Sequence, residues 1–260
     1  MAHWSHGWYK SPMAQVVVPP PAAHAPVVSA LTRAGYAHLS AAAAREALGV
    51  DTAGLDACLA SWADLPRDTY LRDGGSYRTR RHSCFVQTPG TRALEAVAHR
   101  AHWQPTAYNA LHGGIERWFE PIAPAVVGSS AWRGLVGGIG ELFAAMRPVA
   151  RWYIEAHQFR IDTAHGIGRP TPEGAHRDGV DFVALVLAAR RDIEGGETRV
   201  FDAAGSSGLR FTMREPWSVL LLDDARVIHE TTPIRSRDQR GVRDTLVLTY
   251  RERGFQAPGA

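Results

Sequence analysis

Between residues 152 and 250 the chain breaks into short apolar runs, and no other feature limits its fold as much. The runs are 152–161, 182–188, 198–201, 209–213, 217–222, 227–231 and 245–250, with Gly, Pro and Asp between them. Runs this short, bounded by turn residues, are strands, and seven of them predict a β-sandwich or barrel. The part before Pro148 has a different texture. Alanine-rich segments with periodic Leu and Val predict helices over 40–48, which Ser40 can cap, over 92–101 and over 132–146. A helical first half therefore leads into a β-rich second half, an α+β chain that is mainly β. The glycines of Gly134-Leu135-Val136-Gly137-Gly138-Ile139-Gly140 fit neither nucleotide-binding spacing and read as a small-residue face of the 132–146 helix.

Length and composition narrow the possibilities. A chain of 260 residues suits one domain, expected over 27–260, with 27–147 as helical support and 148–253 as the β core. Residues 1–26 are expected to be a disordered or tag-like tail. Pro19-Pro20-Pro21 favours an extended course, and the His- and Trp-rich residues 1–12 precede a second possible start at Met13. The pI is 9.1, yet Lys10 is the only lysine and the arginines are scattered apart from Arg78, Arg80 and Arg81. Without a basic stripe interleaved with aromatics, no nucleic-acid partner is expected. Cys58 and Cys84 are too few for a disulfide framework or a thiolate zinc site. No apolar run approaches the roughly 18 residues of a membrane span, and prolines and histidines interrupt any leader-like stretch. The expectation is a cytoplasmic protein with no membrane partner. Its oligomeric state is left open.

The chemistry concentrates at Pro172-Glu173-Gly174-Ala175-His176-Arg177-Asp178-Gly179, where a loop enters an apolar run. Residues two apart on a strand share a face, so His176 and Asp178 can grip one ion. Chance nearly supplies one such pair in a chain with 12 histidines. Two residues later in the chain make the case: His229 after the aliphatic run 219–222, and Arg243 fourteen residues beyond it. Two imidazoles and a carboxylate form the facial triad of non-haem iron(II) oxygenases, with positions open for cosubstrate and oxygen. Arg243 and Thr245 share a strand face. A guanidinium and a hydroxyl there suit the distal carboxylate of 2-oxoglutarate, whereas pairing with Asp244 or Asp238 is the structural alternative.

These motifs resemble the bacterial 2-oxoglutarate/iron(II) dioxygenases that include the free L-isoleucine 4-hydroxylases. The similarity runs from about Gly35 to Tyr250 and is most specific in Pro172 to Val183, Gly195-Gly196-Glu197, His229 to Ile234 and Arg243 to Tyr250. The resemblance implies a double-stranded β-helix (jelly-roll, cupin-like) core with the N-terminal helices packed on one side. His176, Asp178 and His229 match the family's iron ligands, and Arg243 matches its 2-oxoglutarate anchor. It implies Fe(II), 2-oxoglutarate and O2, with ascorbate stimulatory. It also implies hydroxylation of an unactivated carbon of an amino acid, or sulfoxidation of a thioether, with release of succinate and CO2.

The substrate pocket is less constrained. Gln158 and Arg160 share a face of the 152–161 run. If it is the inner face, Arg160 binds a substrate carboxylate and Gln158 contacts cosubstrate or substrate; otherwise Arg160 is structural. Trp118 and Phe182 either wall an aliphatic side chain or belong to the core. Tyr77, Arg78, Arg80 and Arg81 form a lid, a strand over the mouth, or a solvated basic face. A free aliphatic L-amino acid is the favoured substrate. An amino acid on a carrier, a small peptide, or a non-catalytic metal-binding cupin remain alternatives.

Overall fold

The computed structural model describes residues 27–259 apart from Arg92 and Gln239, so the tail expected over 1–26 lies outside the described residues. The first part holds α1 (Val27–Ala34), β1 (Tyr36–Leu39), α2 (Ala41–Leu48), α3 (Thr52–Asp56) and a 3-10 turn at Leu59–Trp62. It continues with β2 (Arg78–Gln87), β3 (Leu94–Ala96), α4 (Pro124–Val127) and α5 (Ser130–Met146). The second part runs from β4 (Trp152–Asp162) and β5 (Phe182–Arg191) through β6 (Ile193–Gly195), β7 (Thr198–Asp202) and β8 (Gly208–Phe211). It ends with β9 (Val219–Asp223), β10 (Val227–Thr231), β11 (Ile234–Ser236) and β12 (Val242–Arg251). Local signals set several of these limits. The Ser40 hydroxyl accepts from Ala43 N–H at 3.1 Å and starts α2, and Gly49 ends it in the left-handed conformation. Ser129 caps α5 in the same way through Trp132 N–H.

The strands form a jelly-roll core. Seven make one antiparallel sheet in the order β1-β9-β5-β12-β4-β2-β3. A smaller sheet, β10-β7-β8, and the pair β11-β6 lie opposite. The helices cover the outer face of the large sheet, and the main core sits there: Trp132, Ile139, Phe143, Trp152, Ile154, Phe182, Val186, Leu248 and Tyr250 are buried together. A second core lies between the sheets, where Val183, Leu185 and Leu187 meet Val200, Leu209 and Leu222. Residues 182–187 thus alternate between two apolar environments, and β5 is apolar as far as Ala189. The close packing of α5 on the sheet depends on its small residues. A Cβ on Gly140 would lie 1.8 Å from Gln87 Oε1, and Trp152 Nε1–H donates to the Gly140 carbonyl at 2.9 Å.

Two expectations are corrected. The 92–101 segment holds the short strand β3 followed by an irregular stretch, because tertiary pairing with Phe85–Gln87 of β2 overrides its helical propensity. Residues 27–147 are not purely helical either. They contribute β1 and the ten-residue β2, which pairs with β4 from Arg78↔Ile161 to Gln87↔Trp152. Of the alternatives for Tyr77, Arg78, Arg80 and Arg81, the strand holds: residues 78–81 open β2, with Arg78 and Arg80 buried on the cavity wall. Its inward positions are polar, so it lacks an apolar alternation to announce it. A bulge interrupts the β5–β12 ladder: Ala189 faces Asp244 but Leu187 faces Thr245, leaving Ala188 unpaired. Among the described residues no helix is long and apolar enough to cross a membrane.

Candidate metal and cosubstrate site

His176 and His229 meet as backbone neighbours. His176 N–H donates to the His229 carbonyl at 3.1 Å and receives the reciprocal bond at 2.9 Å, an isolated antiparallel bridge. Residues exchanging both bonds project side chains to one face, so the two rings come to 4.7 Å between centroids. Asp178 joins them, its Oδ1 3.8 Å from His176 Nε2 and its Oδ2 3.7 Å from His229 Nε2. One donor atom from each of the three lies within 4.8 Å of the others, a set that fits one octahedral ion with open positions.

The surroundings prepare these donors. His176 Nδ1 donates to the Gly174 carbonyl at 2.9 Å, which leaves its Nε2 lone pair facing the other ligands. Burial, together with the charge of His176, lowers His229 to about 3 and keeps its ring neutral. His176 is raised: burial lowers it, but Asp178 and Glu173 outweigh that. The loop carrying Asp178 hangs from Asp224, which sits in the turn between β9 and β10. One carboxylate accepts from Asp178, Gly179 and Val180 N–H at 2.9, 2.9 and 3.1 Å. Burial and the nearby Asp178 raise Asp224 to about 6. Gly179 has φ +73°, and a Cβ there would strike the Tyr108 ring at 2.4 Å, so the turn out of the loop requires glycine.

Arg243 and Thr245 line the same cavity of about 110 Å³ as the triad. Arg243 is 3% exposed, yet its Nε and Nη2 have no hydrogen-bond partner. Burial, with Arg190 beside it, lowers its pKa to about 10. The structural alternative fails on the register of the strands. Asp244 faces the other way and pairs with Arg160, Nε–Oδ1 2.7 Å and Nη2–Oδ2 2.8 Å. A buried guanidinium left unpaired is the mark of an anion site, and the residues present therefore fit iron(II) with 2-oxoglutarate.

The other side chains singled out in the sequence are not in the cavity. Arg160 is committed to Asp244, and Gln158, fully buried, donates to Ser61 Oγ at 2.6 Å under the 3-10 turn. The reason is the phase of the pleat. Trp152, Ile154 and Ala156 face the helices, so Gln158 and Arg160 do as well, while His157, Phe159 and Ile161 face inward. Phe182 stacks on Phe143 at 4.5 Å in the helical core, and Trp118, 52% exposed, packs edge-on against His99.

Sequence reasoning missed Asp224, the polar inner wall and the amide of Gln104 that joins that wall to Asp178. Gln104 donates to Asp178 Oδ1 at 3.2 Å and accepts from Arg117 Nη2 at 2.8 Å and Asn109 Nδ2 at 3.1 Å. Deeper in, Glu155 Oε2 is the hub for His102 Nδ1 at 2.5 Å, His82 Nε2 at 3.3 Å and His157 Nε2 at 3.6 Å. These four residues also bring one donor atom each within 4.8 Å, as a metal site would. Arg80 Nη2, however, donates to His157 Nδ1 at 2.6 Å, which puts the imidazole proton on Nε2, toward Glu155. The cluster is therefore a carboxylate satisfied by neutral imidazoles. Arg80 itself lies between the rings of Phe119 and Phe159, at 3.8 and 4.4 Å from their centroids.

Comparison with known proteins settles the family. The 2OG-Fe dioxygenase profile matches residues 59–249. The chain belongs to that family. This dioxygenase is 53% identical to a bsmA homolog from Methylobium petroleophilum PM1, covering 94% of this chain and 99% of that one at a TM-score of 0.87. It shares its fold with IDO from Bacillus thuringiensis (18% identity, 87% and 98% covered, TM-score 0.72). It does so too with the Fe(II)/α-ketoglutarate-dependent dioxygenase TqaL (19% identity, 86% and 85% covered, TM-score 0.66). No curated protein matches the dioxygenase in sequence. The family implies Fe(II), 2-oxoglutarate and O2.

Proposed function

We propose that this 2-oxoglutarate/iron(II) oxygenase hydroxylates an unactivated carbon of a free L-amino acid with an aliphatic side chain, with thioether sulfoxidation as a related outcome. The observation that carries the reading is the lining of its cavity. Charged groups of both signs, Arg117 and Glu173 among them, stand beside the apolar Val180, Leu185 and Val247. A small molecule with both charges and an aliphatic arm matches such a wall. A nucleobase would ask instead for stacking faces and a basic approach.

His176, Asp178 and His229 would hold the iron, and Arg243 with Thr245 the distal carboxylate of 2-oxoglutarate. When bound, the iron and its cosubstrate supply the oxidising power, with succinate and CO2 as by-products. The chain's own residues supply position. The Gly174 carbonyl fixes the His176 tautomer, Asp224 fixes the Asp178 loop, and burial of Arg243 selects a ligand that brings its own negative charge.

The test is incubation with iron(II), ascorbate, 2-oxoglutarate and each free L-amino acid in turn, followed by mass spectrometry. The expected result is succinate together with one amino acid carrying an added oxygen. Succinate with no oxidised amino acid would leave the oxygenase standing and sink the substrate class.

A further inference from the structure

Two groups of opposite charge on the cavity wall each keep one buried atom without a hydrogen-bond partner. Arg117 is 2% exposed, and its Nη2 donates to Gln104, but its buried Nε has no partner. Glu173 precedes His176 by three residues. Its Oε1 is 3.6 Å from His176 Nε2, while its buried Oε2 has no partner. The two do not satisfy each other, since both atoms lack a hydrogen bond. A buried atom of a charged group left without a hydrogen bond is costly, and two of opposite sign facing one cavity point to a ligand that completes them. Burial, with Arg78 nearby, lowers Arg117 to about 10, a cost that an arriving anion would repay.

We propose that Arg117 and Glu173 form a cradle for the two ends of a free α-amino acid, Arg117 taking the carboxylate and Glu173 the ammonium. The assignment rests on the amino acid reading above and deepens it. It replaces Arg160, whose guanidinium is spent on Asp244. It also fixes the substrate relative to the metal. Gln104 accepts from Arg117 and donates to Asp178, so the carboxylate subsite lies one amide away from a metal ligand. Arg243 is left for the cosubstrate, and the two guanidiniums serve different carboxylates. An amino acid held as a thioester or within a peptide presents an uncharged carbonyl to Arg117, and an N-acylated one presents no cation to Glu173. Each would leave the buried Arg117 Nε or Glu173 Oε2 without a partner, so the cradle selects free amino acids by penalising the rest.

Calorimetric titration tests this on the protein loaded with Mn(II) and 2-oxoglutarate without oxygen, so that binding is read apart from turnover. The probes are L-leucine, L-isoleucine and L-methionine, with their amides and their N-acetyl derivatives. At least one free amino acid should bind, and its amide and N-acetyl forms should bind about 100-fold more weakly, a discrimination expected of buried polar groups left unpaired. Arg117→Gln should remove the preference over the amide, and Glu173→Gln the preference over the N-acetyl form. In both variants 2-oxoglutarate affinity should stay as in the parent and the thermal midpoint should not fall, which controls for folding. Wild-type affinity for the free amino acid in Arg117→Gln would overturn the cradle while leaving the hydroxylase reading in place. Loss of Mn(II) in Glu173→Gln, with the N-acetyl preference intact, would make Glu173 a metal-holding group and also overturn it. Binding with the expected pattern, but no oxidation of the bound amino acid when the protein is loaded with Fe(II) and 2-oxoglutarate under oxygen, would sink the hydroxylase reading and keep the cradle. No binding of any free amino acid to the parent protein would sink both.

Discussion

Single side chains in this protein act through what they leave unpaired or pair at a distance. Asp224 touches no ligand, yet it accepts three successive backbone N–H groups of the Asp178 loop. Asp224→Ala should lower affinity for Mn(II) or Fe(II) by about 10- to 100-fold, the range for outer-shell partners, with Asp224→Asn between; metal titration of the folded protein measures it. Arg243→Lys keeps the charge but not the fork, and 2-oxoglutarate affinity should fall by at least about tenfold with little change in thermal midpoint. Unchanged 2-oxoglutarate binding would remove Arg243 as the anchor. The triad is legible in the sequence because i and i+2 spacing at a strand entry is a local pattern. Asp224 is not, since its role exists only once a turn meets a loop 46 residues earlier in the chain. Arg160 and Gln158 can be mistaken for inner-face residues, although Trp152, Ile154 and Ala156, two to eight residues before them in the same phase, already point to the helices. The phase is there to be read from the apolar members of the run.

Elements carry a different kind of information. Seven of the nine strands from β4 to β12 are visible because buried strands are apolar and turn residues separate them, whereas the three-residue β6 and β11 are too short to show a run. β2 is hidden because its inward residues are polar: Arg78 and Arg80 line the cavity and His82 belongs to the Glu155 cluster, so function has replaced the apolar signal. α5 shows the reverse case, a glycine-rich run that reads as small residues for close approach and behaves so. Gly140→Val should force Gln87 out of its position, destabilise the protein by about 1–3 kcal/mol and lower the thermal midpoint. Metal and 2-oxoglutarate affinity of the folded fraction should not change, because α5 lies on the outer face of the sheet. The β5 bulge at Ala188 brings Arg190 opposite Arg243, so an irregularity in pairing sets the charge around the cosubstrate anchor.

At the scale of the whole molecule, buried histidines govern the response to acid. Burial lowers His102 to about 4, partly opposed by Glu155, and pushes His82 and His157 down as well. Their folded values lie below the roughly 6.5 of an unfolded chain, so between these limits the unfolded state binds more protons. Their contribution to stability is complete above about pH 6.5 and is lost as pH falls toward 4. The metal-free protein should therefore lose about 5 °C or more of its thermal midpoint between pH 7.5 and 5.5, by scanning calorimetry. His102→Gln should flatten that slope. Metal analysis of the protein saturated with Mn(II) and then desalted should return one equivalent per chain. A second would mean that the Glu155 cluster takes an ion in place of its hydrogen bonds.

The alternation along β4 and β12 also limits how such a chain can change. Each strand carries two interleaved messages: Glu155, His157, Arg243 and Thr245 belong to the cavity, while Ala156, Gln158, Asp244 and Leu246 belong to the helical layer. The pleat is in effect a reading frame. A substitution rewrites one letter of one message, so the wall can be altered for a new substrate without disturbing the layer behind it. Inserting or deleting one residue within either strand would exchange the messages downstream, turning Asp244 toward the cosubstrate and Arg243 into the core. Variation in length is thereby confined to the loops between strands, and variation in chemistry to alternate positions within them.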